Sequence, residues 1–161
     1  MIFHLIPPNI YLKISVILKS NKVNLLALTI TLWYNTKYIF VLTSYILSIF
    51  IKLIDVFVIA PCTGNTLAKL AAGITDTPVL MAAKAHLRNG RPLVIAVSTN
   101  DALSGNAKNI GALLSTRNVY FVPMKQDAPM AKERSIVADL SMLEEACESA
   151  LAGIQLQPIL L

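Results

Sequence analysis

The sequence is short of charge and nearly without cysteine: 14% of its 161 residues are charged and two are cysteines, against 55% hydrophobic. So little charge beside so many apolar residues excludes a disordered chain, and the length is enough for one domain with a real core. Cys62 and Cys147 stand far apart, and neither belongs to a Cys-x-x-Cys or Cys/His cluster. That excludes a disulfide framework and a zinc module. Neither a P-loop nor Gly-x-Gly-x-x-Gly occurs, so no nucleotide motif is present.

Absences also divide the chain. Residues 1–52 contain no carboxylate, no arginine and no glycine, while their five lysines account for the whole formal charge of +5. Residues 53–161 balance nine Lys/Arg against nine Asp/Glu and hold all six glycines. The basic balance therefore does not describe a nucleic-acid surface on the second part, where no basic stripe interleaved with aromatics occurs. Two compositions meet near Leu53, which sets the expected boundary between segments 1–52 and 53–161.

The first segment is built from Ile, Leu, Lys, Asn, Tyr, Phe, Ser and Thr, with no sustained period of 2 or 3.6. Its best candidate window for a membrane segment, the uncharged residues 38–51, is shorter than the roughly 20 residues that span a bilayer. No basic region precedes an apolar run at the start and no small-residue cleavage site follows, so a signal peptide is not indicated. Three readings stay open: a membrane-associated stretch, β-structure favoured by β-branched and aromatic residues, or a mistranslated stretch from an AT-rich reading frame.

Regular patterning begins at Asp55. Residues 55–60 form a continuous apolar run ended by Pro61, the signature of a strand buried on both faces. Leu67, Leu70, Ala71 and Ile74 then recur at helical spacing, with Gly73 near the end. Thr77-Pro78 reads as an N-cap with proline at the first helical position, and Asn89-Gly90 closes that helix. Residues 92–97 and 119–122 read as further strands, with Ile110, Leu113 and Leu114 marking a helix between them. Ser141 and Glu144 have capping-box spacing before a last helix whose buried stripe is Leu143, Ala146, Cys147, Ala150 and Ile154. Alternating strands and helices predict a parallel, doubly wound sheet.

Ligands of such sheets bind beyond the carboxyl ends of the strands, which points to loops 61–66, 98–106 and 123–130. The first loop, Pro61-Cys-Thr-Gly-Asn-Thr66, offers free N–H groups at a helix end to phosphate or polar ligand atoms; alternatively Thr63 or Asn65 merely caps the helix. Ser98, Thr99 and Asn100 in the second could hold a carboxylate or ring nitrogen, or form a polar turn bonded to its own backbone. Lys125 and Gln126 in the third could meet an anion or be solvated. His86 is expected on the helix surface without an orienting carboxylate. Cys62 is either a thiol activated at a helix end or a packed, inert one.

With these loops placed, residues 53–161 resemble the family of dipicolinate synthase B subunits, within the flavoprotein superfamily that includes phosphopantothenoylcysteine decarboxylase and flavin prenyltransferase. The resemblance rests on residues 55–70, on Met81-Ala-Ala-Lys-Ala-His-Leu-Arg-Asn89, on Ser98-Thr-Asn-Asp-Ala-Leu103 and on residues 119–127. It implies a Rossmann-like or flavodoxin-like three-layer α/β fold with a parallel sheet, incomplete at the N-terminus. The superfamily's flavin loop has the form Pro-Ala-Ser-Ala-Asn-Thr; here Pro61, Asn65 and Thr66 match, Thr63 takes the serine position, and Cys62 and Gly64 replace the alanines. The resemblance thus assigns flavin contact to Ala60, Pro61, Thr63, Asn65 and Thr66, and substrate contact to Ser98, Thr99 and Asn100. Asn100 matches an asparagine that holds a substrate carboxylate in the decarboxylases, but the rest of that signature is replaced, which does not suit decarboxylation of a cysteinyl substrate.

The implied function is that of an FMN-type component of an oxidoreductase-type synthase. It would act in the cytoplasm of the mother cell of a sporulating bacterium, with the NAD(P)-binding A subunit of dipicolinate synthase, on a small dicarboxylate oxidised to dipicolinate. The same resemblance implies a homo-oligomer, no metal and no nucleic acid, and it names no catalytic residue. A membrane-anchored protein and a noncatalytic scaffolding subunit are the alternatives. The family also opens with a strand and a Thr-Gly-Ser-type phosphate loop, and nothing like that loop lies in residues 1–52. The expectations are a three-strand remnant with an unpaired edge, and weak or absent flavin binding.

Overall fold

A computed structural model describes residues 13–20, 23–31 and 54–161 of the chain. Three parallel strands form its centre: β3 (Phe57–Cys62), β4 (Leu93–Thr99) and β5 (Val119–Phe121). The helices are α1 (Gly64–Ala71), α2 (Pro78–Arg88), α3 (Ala107–Leu114) and α4 (Leu143–Leu151). Antiparallel strands extend the sheet on both sides. On one side β1 (Lys13–Ser20) and β2 (Val23–Thr31) pair with each other, and β1 meets β3 at Ser15 and Ala60. On the other, β6 (Met124–Gln126) and β7 (Ile136–Ala138) form a hairpin.

The alternation of side chains along the parallel strands generates two cores. Phe57, Ile59, Leu93, Ile95 and Phe121 face Leu67 of α1, Val79, Ala82 and Ala83 of α2, and Ile110 and Leu113 of α3. Val56, Val58, Ala60, Val94 and Ala96 face Ala146, Cys147 and Ala150 of α4. Helices thus cover both faces of a parallel centre, as expected of a doubly wound α/β fold. Cys62 and Cys147 belong to opposite cores, and no disulfide joins them.

The edge of β4 is shared. β5 pairs with its first half through Leu93, Val94 and Ile95, and β7 takes over the same strand at Ser98 and Thr99. The β6–β7 hairpin stands where the sequence predicts only a loop over 123–130. Each of its strands is three residues long and carries no alternating pattern to betray it. The sheet is therefore larger than the anticipated three strands, and the β3 edge carries β1. The stretch 38–51 lies outside the described residues. Among the described residues, no helix is long and apolar enough to cross a membrane.

Several local expectations hold. Thr77 caps α2, its hydroxyl accepting from the Leu80 N–H at 3.4 Å, and Pro78 opens the helix. Others change. Strand β3 continues through Pro61, which is exposed and sits where the register with β4 shifts, a position that tolerates a residue without an N–H. Ile74 and Ile154 do not join helical stripes. After each helix a glycine with positive φ, Gly73 or Gly153, ends the turn, and the next N–H bonds back to the helix, Ile74 to Lys69 and Ile154 to Ser149. Both isoleucines are thereby exposed, and Leu114 is as well.

The capping box at Ser141 does not form. Asp139 is the capping residue of a 3-10 turn (Leu140–Met142) that leads into α4, and it accepts from both the N–H and the hydroxyl of Ser141. Nor is His86 on the surface: it is fully buried beside the Phe57 ring. Its Nε2 donates to the Pro92 carbonyl at 3.0 Å, which fixes the tautomer and leaves Nδ1 without a polar partner among the described residues.

Candidate functional site

At the carboxyl ends of β3 and β4 the three anticipated loops converge on one cleft of about 460 Å³. The first loop brings Thr63 and Gly64, the second Ser98, Thr99, Asn100 and Asp101, and the hairpin connection Asp127, Lys132 and Ser135. The sequence pointed to the first two loops and, within this lining, to Thr63, Ser98, Thr99 and Asn100. In the third loop Lys125 and Gln126 are exposed, in keeping with the solvated alternative. Lys125 is drawn away to Asp139 at 2.8 Å, and Gln126 donates to the Glu133 carbonyl, so neither lines the cleft.

Thr63 stands at the N-cap position of α1 with extended backbone, but its hydroxyl lies 3.3 Å from the Thr66 hydroxyl and caps no N–H. The purely capping role considered for this residue is not realised. Ala60 is buried against α4, Pro61 and Asn65 are exposed, and none of these three, nor Thr66, is among the residues that line the cleft. Cys62 is fully buried and its thiol is pushed up to about 12 by desolvation, so it remains protonated and unreactive near neutral pH. The inert reading of Cys62 holds.

The second loop is organised around Asp101, which sequence reasoning passed over. Thr99 Oγ1 donates to Asp101 Oδ1 at 2.5 Å, and Asn106 Nδ2 lies 2.9 and 2.8 Å from the two carboxylate oxygens. These bonds hold the carboxyl below its usual range, so it is ionised at neutral pH. Asn106 is itself nearly buried and is fixed by Asn109, which donates to its Oδ1 at 2.8 Å. The signal available in sequence was Asx and Ser/Thr density; what it could not supply was the convergence of these groups on Gly64. A Cβ at Gly64 would stand 2.5 Å from Thr99 Oγ1 and 2.7 Å from Asn106 Nδ2, so the close approach of the two loops requires glycine.

The cleft's charge follows. Asp101 and Asp127 are acidic, and Lys132, the cation that lines the cleft, is paired with Asp127 at 3.2 Å. The Asp101 carboxylate, held by Thr99 and Asn106, stands beside Gly64, the first residue of α1, so an anion bound there would have a like charge as its neighbour. A neutral ring edge carrying N–H and C=O groups suits the hydroxyls, amides and carboxylate present. Among the described residues no group of three His, Cys, Asp or Glu side chains is placed to hold a metal ion.

Comparison with known proteins adds the following. The Flavoprotein family matches residues 16–145, reaching upstream of the boundary expected near Leu53 and taking in most of β1 and all of β2. The B subunit of dipicolinate synthase from Bacillus subtilis (strain 168) is 53% identical over 107 residues, 66% of this chain and 54% of that protein. The chain thus spans about half the length of that curated relative. The crystal structure of the dipicolinate synthase B subunit from Bacillus halodurans C superimposes with a TM-score of 0.71 at 48% identity, covering 73% of this chain and 62% of that one. A mutant PPC decarboxylase complexed with pantothenoylaminoethenethiol shares the fold, with a TM-score of 0.50 at 20% identity over 64% of this chain and 58% of that chain. The chain is a homologue of the dipicolinate synthase B subunit and belongs to the flavoprotein family.

Proposed function

We propose that this chain is a flavin-binding component of a dipicolinate synthase, working with the enzyme's NAD(P)-binding A subunit in the oxidation of a dihydrodipicolinate-type dicarboxylate to the aromatic pyridine. The observation that carries this reading is the convergence of Thr63–Gly64 and Ser98–Asp101 on one cleft, in a chain 53% identical to such a B subunit over 107 residues. The first loop, with Ala60, Pro61, Thr63, Asn65 and Thr66, holds the ring edge of FMN. Ser98, Thr99 and Asn100 supply donors for a substrate carboxylate. When bound, the flavin accepts the electrons that aromatisation of the ring releases.

The same reading makes flavin binding by this chain weak. Residues 1–52 contain no glycine and hence no Gly-rich phosphate cradle, and Asp101 stands beside the first residue of α1. The dicarboxylate likewise meets two fixed carboxylates and one paired cation in the cleft, so the A subunit or a further copy of the chain supplies the missing positive charge. This is the physical reason for expecting an assembly, and the reading carries with it action in the cytoplasm of the sporulating cell, beside that partner.

Co-expression with the A subunit and assay of dipicolinate formation test the proposal. N65A and N100A are each expected to lower the yield at least about tenfold, the cost of losing a charge-assisted or paired hydrogen bond at a ligand. A noncatalytic scaffold would tolerate both substitutions, and undiminished dipicolinate in both variants would refute the proposal.

A further inference from the structure

The carboxyl end of β4 is held by the hairpin rather than by its parallel neighbours. Ser98 pairs with Val137 and Thr99 with Ile136, and continuing this antiparallel register by one residue sets Asn100 opposite Ser135. Ser135 is 1% exposed, although most of the hairpin connection around it is open to solvent. Its hydroxyl lies 3.3 Å from the Thr99 carbonyl and 3.3 Å from Asn100 Oδ1. The loop is fastened a second time, by the Leu103 N–H on the Arg134 carbonyl at 3.1 Å. Ser135 is in turn fixed by its own N–H on the Lys132 carbonyl.

A serine hydroxyl has one proton, which two acceptors at equal distance share in a three-centre bond. The side chain of Asn100, exposed at the cleft, therefore has a buried anchor on one end of its amide. Without that anchor the amide is free to rotate about the side-chain torsions and to turn its ends over. With it, one end of the amide is committed to Ser135 and the other is presented to the cleft.

We infer that Ser135 is a positioning residue: although it lines the cleft, its one hydroxyl proton is committed to Thr99 and Asn100, and it orients the Asn100 amide toward the ligand. This rests on the reading of Asn100 as a substrate contact, and it adds a residue contributed by the hairpin. The hairpin thereby acquires a role beyond extending the sheet, because it sets the geometry of the last residues of β4.

Two measurements on the full chain separate this inference from the reading it rests on. In heteronuclear NMR spectra without ligand, the Asn100 side-chain amide resonances, assigned by their disappearance in N100A, are expected to shift in S135A while α1 and α2 backbone resonances do not. Unmoved Asn100 side-chain resonances overturn the inference whatever the ligand proves to be. In calorimetric titrations with dipicolinate, S135A and N100A are each expected to weaken binding about threefold to tenfold, and the double variant to be no weaker than N100A. Losses that simply add overturn the inference and leave Asn100 as a contact. Full affinity in N100A overturns both. Thermal unfolding midpoints for each variant, expected within a few degrees of the parent, verify that the fold persists.

Discussion

Asp101 lies against Gly64 so closely that a methyl group on Gly64 would stand 2.8 Å from Asp101 Oδ1. The first residue of α1 and the acid that follows Asn100 thus share one space, joining the two loops proposed to hold flavin and substrate.

Substituting Gly64 by alanine forces that space open. Thr99, Asn106 and Asp101 must all give way, and they are bonded to one another, so relief by a single side-chain rotation is not available. G64A is expected to cost about 1–3 kcal/mol of stability, as overpacking does, and to lower the unfolding midpoint by several degrees. Urea unfolding measures it. Adding D101A removes one of the three obstructing groups and is expected to restore part of the loss. A G64A protein as stable as the parent would show that the loops do not pack in this way.

His86 makes the fold acid-sensitive. Desolvation by burial lowers its pKa from 6.5 to about 4, with Arg91 also disfavouring the proton and the Pro92 carbonyl and Asp55 favouring it. Below pH 6.5 the unfolded chain takes up a proton that the folded chain refuses. Stability therefore falls as pH drops from 6.5 toward about 4, and no more is lost through this group below that, where both states carry the proton. The loss is on the order of 2 kcal/mol. In H86Q the decline across that window is expected to flatten, as read from unfolding free energies at each pH.

Asp139 acts at lower pH. Its carboxylate accepts from Lys125 at 2.8 Å and from Ser141 at 2.6 and 3.1 Å, and these bonds lower its pKa from 3.8 to about 2. A depressed folded-state pKa stabilises above the unfolded value, and the contribution is lost as pH falls from about 4 through about 2. Exposure keeps the energy small. The expected consequence is local: amide exchange in Met124–Gln126 and Leu140–Met142 quickens in D139N at neutral pH, while exchange in Phe57–Cys62 does not.

These particulars show which parts of the molecule its sequence declares. The start of α2 was legible because Thr77 and Pro78 act within one turn, and the parallel strands because runs such as Val94-Ile-Ala-Val97 are buried on both faces. The convergence of the loops on one cleft was legible because strand order places them together at the carboxyl ends of the strands. Asp101 and Ser135 were not. Each acts across the fold, Asp101 on Gly64 from another loop and Ser135 on Asn100 from thirty-five residues away. His86 misled for the same reason: a lone polar residue between Lys84 and Arg88 is buried here because its ring fills space beside Phe57 and its proton reaches Pro92.

The central claim, that the cleft takes the ring of a flavin without a cradle for its phosphate, is tested most directly by titrating FMN and riboflavin separately into the purified chain and following flavin fluorescence. Saturable but weak binding is predicted for both, with affinities within about threefold of each other because no unpaired cation is placed for the phosphate among the described residues of the cleft, and with both lost in N65A. The absence of saturable binding, binding that N65A leaves unchanged, or a purified protein already carrying stoichiometric flavin would contradict the account.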